Sequence, residues 1–200
     1  ENNADMKKIQ LVALFILGLG INLFAQDTYK LVEAKSKNLV TGTSTLHDWR
    51  CIAEKQSGTA VIKTDGAFEI KSLYARIAAK SLKSIKENGS YYDGGMDKNA
   101  YKALNADQYP EIVYTLSGIS NVKTSGNTST FTATGSLTIS GKTNKVTFPV
   151  KAVVTGNSVV FTGSVKFKLT SFDITPPKAL MGTIKTGDDV TVVLNSTYSK

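Results

Sequence analysis

One stretch of the sequence decides the fold, Val159-Val-Phe-Thr-Gly-Ser-Val-Lys-Phe-Lys-Leu169. Apart from Val160, its apolar residues, among them Phe161 and Phe167, share one parity, whereas Lys166 and Lys168 share the other. Alternation with a period of two is typical of an antiparallel strand that has one apolar face and one solvated face. A shift of one residue would bury the lysines and expose the phenylalanines. The pattern therefore predicts that Phe161 and Phe167 point inwards and that both lysines face solvent.

The same alternation recurs elsewhere, and turn residues separate the runs. Phe148 has the inward parity of one run, and Thr132 and Thr134 have the outward parity of another. The apolar positions of these runs are Phe131, Ala133, Gly135, Leu137, Ile139, Val146, Phe148, Val150, Ala152, Val154, Val190, Val192 and Leu194. Turn sequences at hairpin spacing are Asp65-Gly66, Ser125-Gly126-Asn127, Ser140-Gly141-Lys142 and Thr155-Gly156-Asn157. These features predict a series of antiparallel hairpins.

One run changes phase and indicates how the sheet closes. Between Ala67 and Lys80 the apolar residues switch parity, which predicts a β-bulge near Lys71-Ser72 that bends a long strand. Two short segments have a helical pattern: one that Asp97 caps and that ends before Pro110, and another from Ser81 to Asn88. About eight antiparallel strands with a helical excursion favour a barrel over a sandwich. Such a barrel is just wide enough inside for side chains or one small ligand.

The first residues have the pattern of a targeting segment. Lys7 and Lys8 form a positive region, and an unbroken apolar run follows from Leu11 to Ile21. Leu23-Phe-Ala25 then offers a cleavage site of the secretory type. We therefore interpret residues 1–25 as a signal peptide.

A retained membrane anchor is the alternative interpretation of this segment. A spanning helix needs about 20 apolar residues, and Asn22 interrupts the run too early, so we favour cleavage. Glu1 to Asp5 precede Met6 and are interpreted as an upstream artefact. Residues 26–200 are then one exported domain that begins at Gln26, in the periplasm or secreted.

The charge of the chain limits its partners. Twenty-four lysines and arginines against 16 acidic residues give a formal net charge of +8. The lysines are spread along the chain, which suits either contact with anionic lipid or polysaccharide at an envelope, or solubility alone. Nucleic-acid binding requires a motif or a dense basic patch. The sequence has neither, so we expect no nucleic-acid partner.

The chain is poor in catalytic residue types. It has one histidine and one cysteine and lacks the common hydrolase, zinc-protease and nucleotide-binding motifs. His47-Asp48 supplies at most two metal ligands. Cys51 has no partner for an intrachain disulfide and is interpreted as a small buried residue. We therefore predict no catalytic residue, no metal site and no cofactor, and we interpret the protein as a binder.

Three segments resemble a known family. They are Ser171-Phe-Asp-Ile-Thr-Pro-Pro-Lys-Ala-Leu-Met-Gly-Thr-Ile-Lys-Thr-Gly-Asp-Asp-Val-Thr-Val-Val193, Gly42-Thr-Ser-Thr-Leu-His-Asp-Trp49 and Met96-Asp-Lys-Asn-Ala-Tyr-Lys-Ala-Leu-Asn105. Together, and in the order in which they occur along the chain, they resemble the YceI-like family over about Tyr29 to Tyr198. The resemblance implies an all-β, antiparallel, lipocalin-like β-barrel with one or two short helices. It also implies a polyisoprenoid or another long-chain amphiphile as the ligand.

Aromatic and polar residues near strand ends are candidates for the mouth of the barrel. His47 and Trp49 end a strand-like run and are predicted to line a pocket mouth, where His47 would hydrogen-bond a head group. In the alternative, Trp49 plugs the barrel floor and His47 satisfies a buried carbonyl. Tyr91 and Tyr92 lie in a glycine-containing loop that resembles the family's mobile segment beside the cavity. The functional interpretation of this loop is a lid, and the alternative is a plain connection.

Two other features resemble positions of the family. Asp97 and Lys98 match a charged position early in the helix, and they are also explained by capping and solvation. Leu180 and Met181 follow a Pro-Pro turn and are predicted to point inwards where this segment crosses one barrel end. The alternative for the segment is a cap packed on the barrel floor.

These observations lead to one functional hypothesis. The tail of the amphiphile lies inside the barrel against Phe148, Phe161, Val165 and Phe167, because burial of apolar surface stabilises it by about 25 cal/mol per Å². Two rival hypotheses remain open. One is a structural or interaction barrel filled by its own side chains, and the other is an enzyme that modifies a lipid at the mouth.

Overall fold

Antiparallel strands form most of the described chain. The structure, a computed structural model, describes residues 27–92 and 94–200, so the predicted signal peptide and its cleavage site lie outside the described residues. The strands are β1 (Asp27–Leu31), β2 (Leu39–Ser44), β3 (Trp49–Ala53), β4 (Gln56–Lys63), β5 (Glu69–Ala78), β6 (Leu82–Ser84), β7 (Glu111–Ser125), β8 (Thr128–Ile139), β9 (Lys142–Thr155), β10 (Ser158–Lys168), β11 (Lys178–Ala179) and β12 (Ile184–Ser199).

Eight of these strands close into a barrel. Their order is β1-β4-β5-β7-β8-β9-β10-β12, and β12 pairs with β1 through Leu31 and Tyr198 to complete the ring. Around the barrel, the strands keep their order in the chain, and β2, β3, β6 and β11 lie outside the ring. The predicted antiparallel barrel of about eight strands is therefore confirmed.

The alternation in sequence corresponds to the two faces of the barrel. Phe148 and Phe161 are buried, Phe167 is half-buried, and Lys166 and Lys168 are exposed. Thr132 and Thr134 are half-buried on the outer parity, where Thr134 shares a hydrogen bond with Thr147. The predicted inward and outward assignment of these strands is confirmed.

The predicted turns and the bulge are present. Val61 pairs with Ser72 and Ile62 pairs with Ile70, so Lys71 is the extra residue of a bulge in β5. The residues at the predicted hairpin turns adopt positive φ values, for example 78° at Gly141, a backbone conformation that favours glycine. The bulge bends β5 and lets the sheet curve round.

The barrel has a closed end and an open end. Phe68, in the turn between β4 and β5, packs on Phe131 with their ring centroids 5.7 Å apart. Tyr29 and Ile62 are fully buried near the same end. The turns between β7 and β8 and between β9 and β10 lie at this end as well. The open end is the one at which the turn between β8 and β9 lies.

A short arm of strands and one helix flank the open end. β2 pairs with β12 and continues the sheet through β3 to β6. Helix α1 (Gly95–Ala103) packs beside β6, where the hydroxyl of Tyr101 donates a hydrogen bond to the carbonyl of Leu82 over 2.9 Å. No helix among the described residues is long and apolar enough to cross a bilayer.

Two helix predictions are wrong. Asp97 does not cap α1, because the cap position is Gly94 and Asp97 lies inside the first turn. Its buried carboxylate instead accepts a hydrogen bond from the backbone N–H of Ser84 over 2.8 Å, since that strand leaves the amide unpaired. The segment from Ser81 to Asn88 is not helical. It forms the end of a 3-10 turn and then β6, because pairing with β3 satisfies its backbone.

Candidate ligand-binding cavity

The barrel encloses a cavity of about 420 Å³ that opens at the end flanked by the arm and the helix. Ligand pockets of small-molecule binders have volumes of about 300–1,000 Å³. Inner-face side chains from all eight barrel strands line most of the cavity. Apolar members of this lining include Leu31, Ile70, Leu73, Ile112, Leu116, Phe131, Leu137, Val146, Phe148, Val150, Phe161, Val165, Phe167, Val190, Val192 and Leu194.

The side chains predicted to hold an apolar tail all line this cavity. Phe148, Phe161 and Val165 are buried, and Phe167 is half-buried nearer the open end. Phe161 meets the ring of Tyr198 edge to face at 5.6 Å between centroids. The packing of the Phe161 and Tyr198 rings therefore fixes the position of this part of the cavity wall.

A tyrosine in the middle of the barrel carries an unused polar group. Tyr114 lies on β7 and packs on Phe148 at 5.7 Å between ring centroids. Its buried hydroxyl has no hydrogen-bond partner among the described residues. Burial raises the pKa of Tyr114 to about 12, so the phenol stays protonated at neutral pH. The group is thus a hydrogen-bond donor, and it belongs to a residue that lines a cavity of apolar side chains.

The space for this ring comes from a glycine on the next strand. A Cβ at Gly135 would lie 2.6 Å from the Tyr114 hydroxyl and 2.5 Å from the carbonyl oxygen of Thr115. Real Cβ atoms do not approach other atoms so closely, so any larger residue here would displace the tyrosine. Gly135 therefore sets both the width of the cavity and the position of the phenol.

One wall of the cavity is polar, but its groups are already engaged. The Asn38 side-chain amide donates to Gln56 over 2.5 Å, and its oxygen accepts from the hydroxyl of Ser196 over 3.0 Å. Gln56 in turn donates to the carbonyl of Ser36 over 3.0 Å. This buried network fastens β2 and β4 to β12. Unlike these groups, the buried Tyr114 hydroxyl has no hydrogen-bond partner among the described residues.

His47 and Trp49 line the mouth. The indole N–H of Trp49 donates to the carbonyl of Thr43 over 3.0 Å. Its ring lies so close to Gly42 that a Cβ there would be 2.3 Å away. Trp49 is therefore held at the mouth and does not plug the floor. Nδ1 of His47 lies 2.6 Å from the carbonyl oxygen of Asp48, so in the neutral ring Nε2 is the acceptor.

The tyrosine loop only partly joins this mouth. The ring of Tyr92 is parallel to that of His47, with 6.1 Å between centroids, and the Lys86 ammonium lies 5.5 Å from its centre. Tyr91 is 58% exposed, and its hydroxyl donates to Glu54 over 2.8 Å. Neither tyrosine lines the cavity itself. The structure thus brings His47, Trp49 and Tyr92 together and places Tyr91 outside.

The prediction that Leu180 and Met181 point inwards is wrong. Leu180 is 72% exposed and Met181 is fully exposed. Both have positive φ, 47° and 53°, within a 3-10 turn that reverses the chain between β11 and β12. The reversal turns both side chains away from the cavity. Pro177 and Ala179, next to them, line the mouth instead.

The described residues include one cysteine and one histidine. Cys51 is buried, and burial raises the pKa of its thiol, so its interpretation as a core residue is confirmed. Among residues 27–92 and 94–200, no three His, Cys, Asp or Glu side chains converge as metal ligands. The apolar lining of the cavity is suited to binding by burial.

Several cavity residues were not predicted from the sequence. Tyr114 is the most important of them, and the alternation Ile112, Tyr114, Leu116 carries the information that it points inwards. Asn38 and Gln56 give no such indication, because their side chains are satisfied by residues far away in the chain. Met96, Asn99 and Ala100 reach the mouth from α1, which the helical pattern alone does not place.

Fold and cavity together define a class of protein. An antiparallel barrel of eight strands, closed at one end and open to an apolar cavity at the other, is the architecture of small barrels that hold one small ligand. Comparison with known proteins refines this class. The chain belongs to the YceI-like family, whose domain model matches residues 29–198. The family resemblance found in the sequence is thereby confirmed.

Solved structures show the same fold. BcnA of Burkholderia cenocepacia is 23% identical, with a TM-score of 0.65, and the match covers 84% of this chain and 98% of that one. A polyisoprenoid binding domain from Saccharophagus degradans is 12% identical, with a TM-score of 0.63 and coverage of 86% and 97%. The YCEI protein of Campylobacter jejuni is 19% identical, with a TM-score of 0.51 and coverage of 73% and 84%. Comparison with curated protein sequences gives no match.

Proposed function

We propose that the protein is an exported binding protein that holds a polyisoprenoid or another long-chain amphiphile inside its barrel. The observation that carries the proposal is the apolar cavity of about 420 Å³, open at one end. Under the rival hypothesis, the barrel is filled by its own side chains, and no such cavity is expected. Membership of the YceI-like family and the polyisoprenoid binding domain among its structural neighbours support the ligand class.

The proposed ligand is oriented by the two ends of the cavity. Its tail lies against Phe148, Phe161, Val165 and Phe167, where burial stabilises it by about 0.8 kcal/mol for each methylene group removed from water. Its head group lies at the mouth, within reach of Nε2 of His47 and of the Lys86 ammonium beside Tyr92. Binding requires no covalent step, and the proposed function is accordingly not enzymatic.

Export and contact with the envelope are part of the proposal. The apolar run from Leu11 to Ile21 follows Lys7 and Lys8, as in a secretory signal peptide. N-terminal sequencing of protein from the periplasmic fraction should give Gln26 as the first residue. Recovery of the intact segment in the membrane pellet would contradict export as a soluble protein.

The direct test of the ligand is extraction from the native protein. The protein is purified from its own cells without detergent, and its lipids are extracted and identified by mass spectrometry. We expect one prenyl or acyl amphiphile in near-stoichiometric amount. The Val165→Trp variant serves as the control, because an indole at this buried position occupies the cavity. Equal lipid content in both proteins would mean that the lipid is adsorbed outside the barrel.

A further inference from the structure

Two neighbouring turns at the mouth carry exposed apolar side chains. Leu46, in the turn between β2 and β3, is 65% exposed, and it also lines the entrance of the cavity. Leu180 and Met181, in the turn between β11 and β12, are the most exposed large apolar side chains of the described chain. We call Leu46, Leu180 and Met181 the mouth tips. Large apolar side chains that protrude together beside a cavity indicate an interaction surface.

The two turns are fastened to each other. The backbone N–H of Thr45 donates to the carbonyl of Lys185 over 3.0 Å. The hydroxyl of Thr45 accepts from the N–H of Lys185 over 3.1 Å and donates to the carbonyl of Thr183 over 3.3 Å. The mouth tips therefore belong to one supported surface.

The backbone of Leu180 and Met181 holds their side chains outwards in a conformation that large residues disfavour. Leu180 and Met181 both adopt left-handed conformations, which large side chains rarely do. Nothing in the described interior gains from their placement, because neither side chain packs against the core. A strained segment of this kind is a reason to look for a role outside the fold.

A pair of lysines stands beside the tips. Lys178 and Lys185 are paired directly across β11 and β12, and both are exposed. Among residues 27–92 and 94–200, neither ammonium has a carboxylate within ion-pair distance. Like charges directly opposite each other on two strands repel. An anionic partner would relieve this repulsion. Asp48 is the acidic residue of the neighbouring turn, whereas Asp188 and Asp189, further along β12, are paired with Lys168.

We infer that the mouth tips and the lysine pair dock the open end of the barrel on an anionic lipid bilayer. Apolar side chains enter the interface between head groups and acyl chains, and lysines contact the phosphates, which is how peripheral proteins combine two weak attractions. The docking deepens the proposed function, because it places the mouth where an amphiphile leaves the membrane without crossing water. It does not depend on which amphiphile the cavity holds.

The test uses the chain's single tryptophan, Trp49, which lies at the mouth. Vesicles of brominated phosphatidylcholine, alone or in an equimolar mixture with brominated phosphatidylglycerol, quench an indole that approaches the acyl chains. This readout reports how close the mouth comes to the bilayer, even if the N-terminal segment also contacts the vesicles. We expect saturable quenching on the anionic vesicles, weaker quenching on neutral ones, and a loss of affinity as salt is added.

Substitutions separate the two attractions. Lys178→Gln with Lys185→Gln should lower the affinity for anionic vesicles about 30-fold, from roughly fivefold per lysine. The control is Lys123→Gln with Lys151→Gln, two exposed lysines toward the closed end, and it should change the affinity less than twofold.

The apolar tips are tested in the same assay. Leu180→Asn with Met181→Asn should lower the affinity at least tenfold, and asparagine tolerates the left-handed backbone, so the fold is preserved. The apolar control is Val122→Thr, 40% exposed on β7. Equal losses in tip and control variants, equal quenching on neutral vesicles, or tips that only mediate self-association would overturn the inference. Prenyl-lipid titration without vesicles should be unchanged in the tip variant, so failure of docking and failure of ligand binding are distinguishable.

Discussion

Replacement of Tyr114 by phenylalanine tests whether the cavity holds a polar group that the fold does not use. The substitution removes one buried hydroxyl and leaves the ring that packs on Phe148. A buried hydroxyl without a partner costs about 1–3 kcal/mol of folding free energy. Because the ring is only half-buried, we expect the lower part of this range. The Tyr114→Phe barrel without ligand should therefore be more stable than the wild type by about 1 kcal/mol.

The assay is unfolding of the delipidated protein in urea and by heat. A gain of about 1 kcal/mol corresponds to a rise of about 2–4 °C in Tm for a domain of this size. Tyr91→Phe is the matched control, because its hydroxyl is exposed and bonded to Glu54, and it should change stability by less than about 0.5 kcal/mol. A loss of about 1 kcal/mol or more in Tyr114→Phe would refute the reasoning, since it would mean that water or another group satisfies the hydroxyl in the empty barrel.

Other predictions concern packing, protection and pH. Phe167→Ala should cost about 2–3 kcal/mol in urea unfolding and Lys168→Ala less than about 0.5, and equal losses would contradict the assigned faces. Gly135→Ala should destabilise the barrel by about 1–3 kcal/mol, as measured by its urea midpoint, because the added methyl overlaps neighbouring atoms; a neutral result would contradict the close packing. Cys51 should react with iodoacetamide only as fast as the native protein opens, and rapid alkylation would show an accessible thiol. Burial raises the pKa of Tyr114 from 10.0 to about 12, so the folded state favours the neutral phenol: stability is retained below pH 10 and should fall between about pH 10 and 12, and this fall should be smaller in Tyr114→Phe.

Much of the barrel could be predicted because strand parity is a local property. Successive side chains of a strand point in opposite directions. The positions of Phe161 and Lys166 in the sequence are therefore enough to place them on opposite faces. The phase change at Lys71 likewise predicted a bulge from local spacing alone. Turn residues with positive φ, such as Gly141, mark the ends of the hairpins without reference to the rest of the chain.

The rest depends on residues that are far apart in the sequence. Asp97 looks like a helix cap, but its carboxylate is used by the backbone of a strand that only the folded chain brings near. Leu180 and Met181 are apolar and therefore resemble core residues, whereas their left-handed backbone turns them outwards. Composition does not reveal backbone handedness at such positions. The polar wall of Asn38 and Gln56 was missed because it forms only when three strands meet.

The central claim is that the barrel binds one long-chain amphiphile in its cavity, and titration of the delipidated protein with a prenyl lipid tests it most directly. Tryptophan fluorescence of Trp49 and calorimetry should show saturable binding of one lipid for each barrel, with a negative heat-capacity change. His47→Ala should weaken binding by about 1 kcal/mol, the value of one hydrogen bond. Val165→Trp should abolish the calorimetric signal while the protein stays folded. Absence of saturable binding to any prenyl or acyl ligand, or unchanged binding in Val165→Trp, would contradict the account.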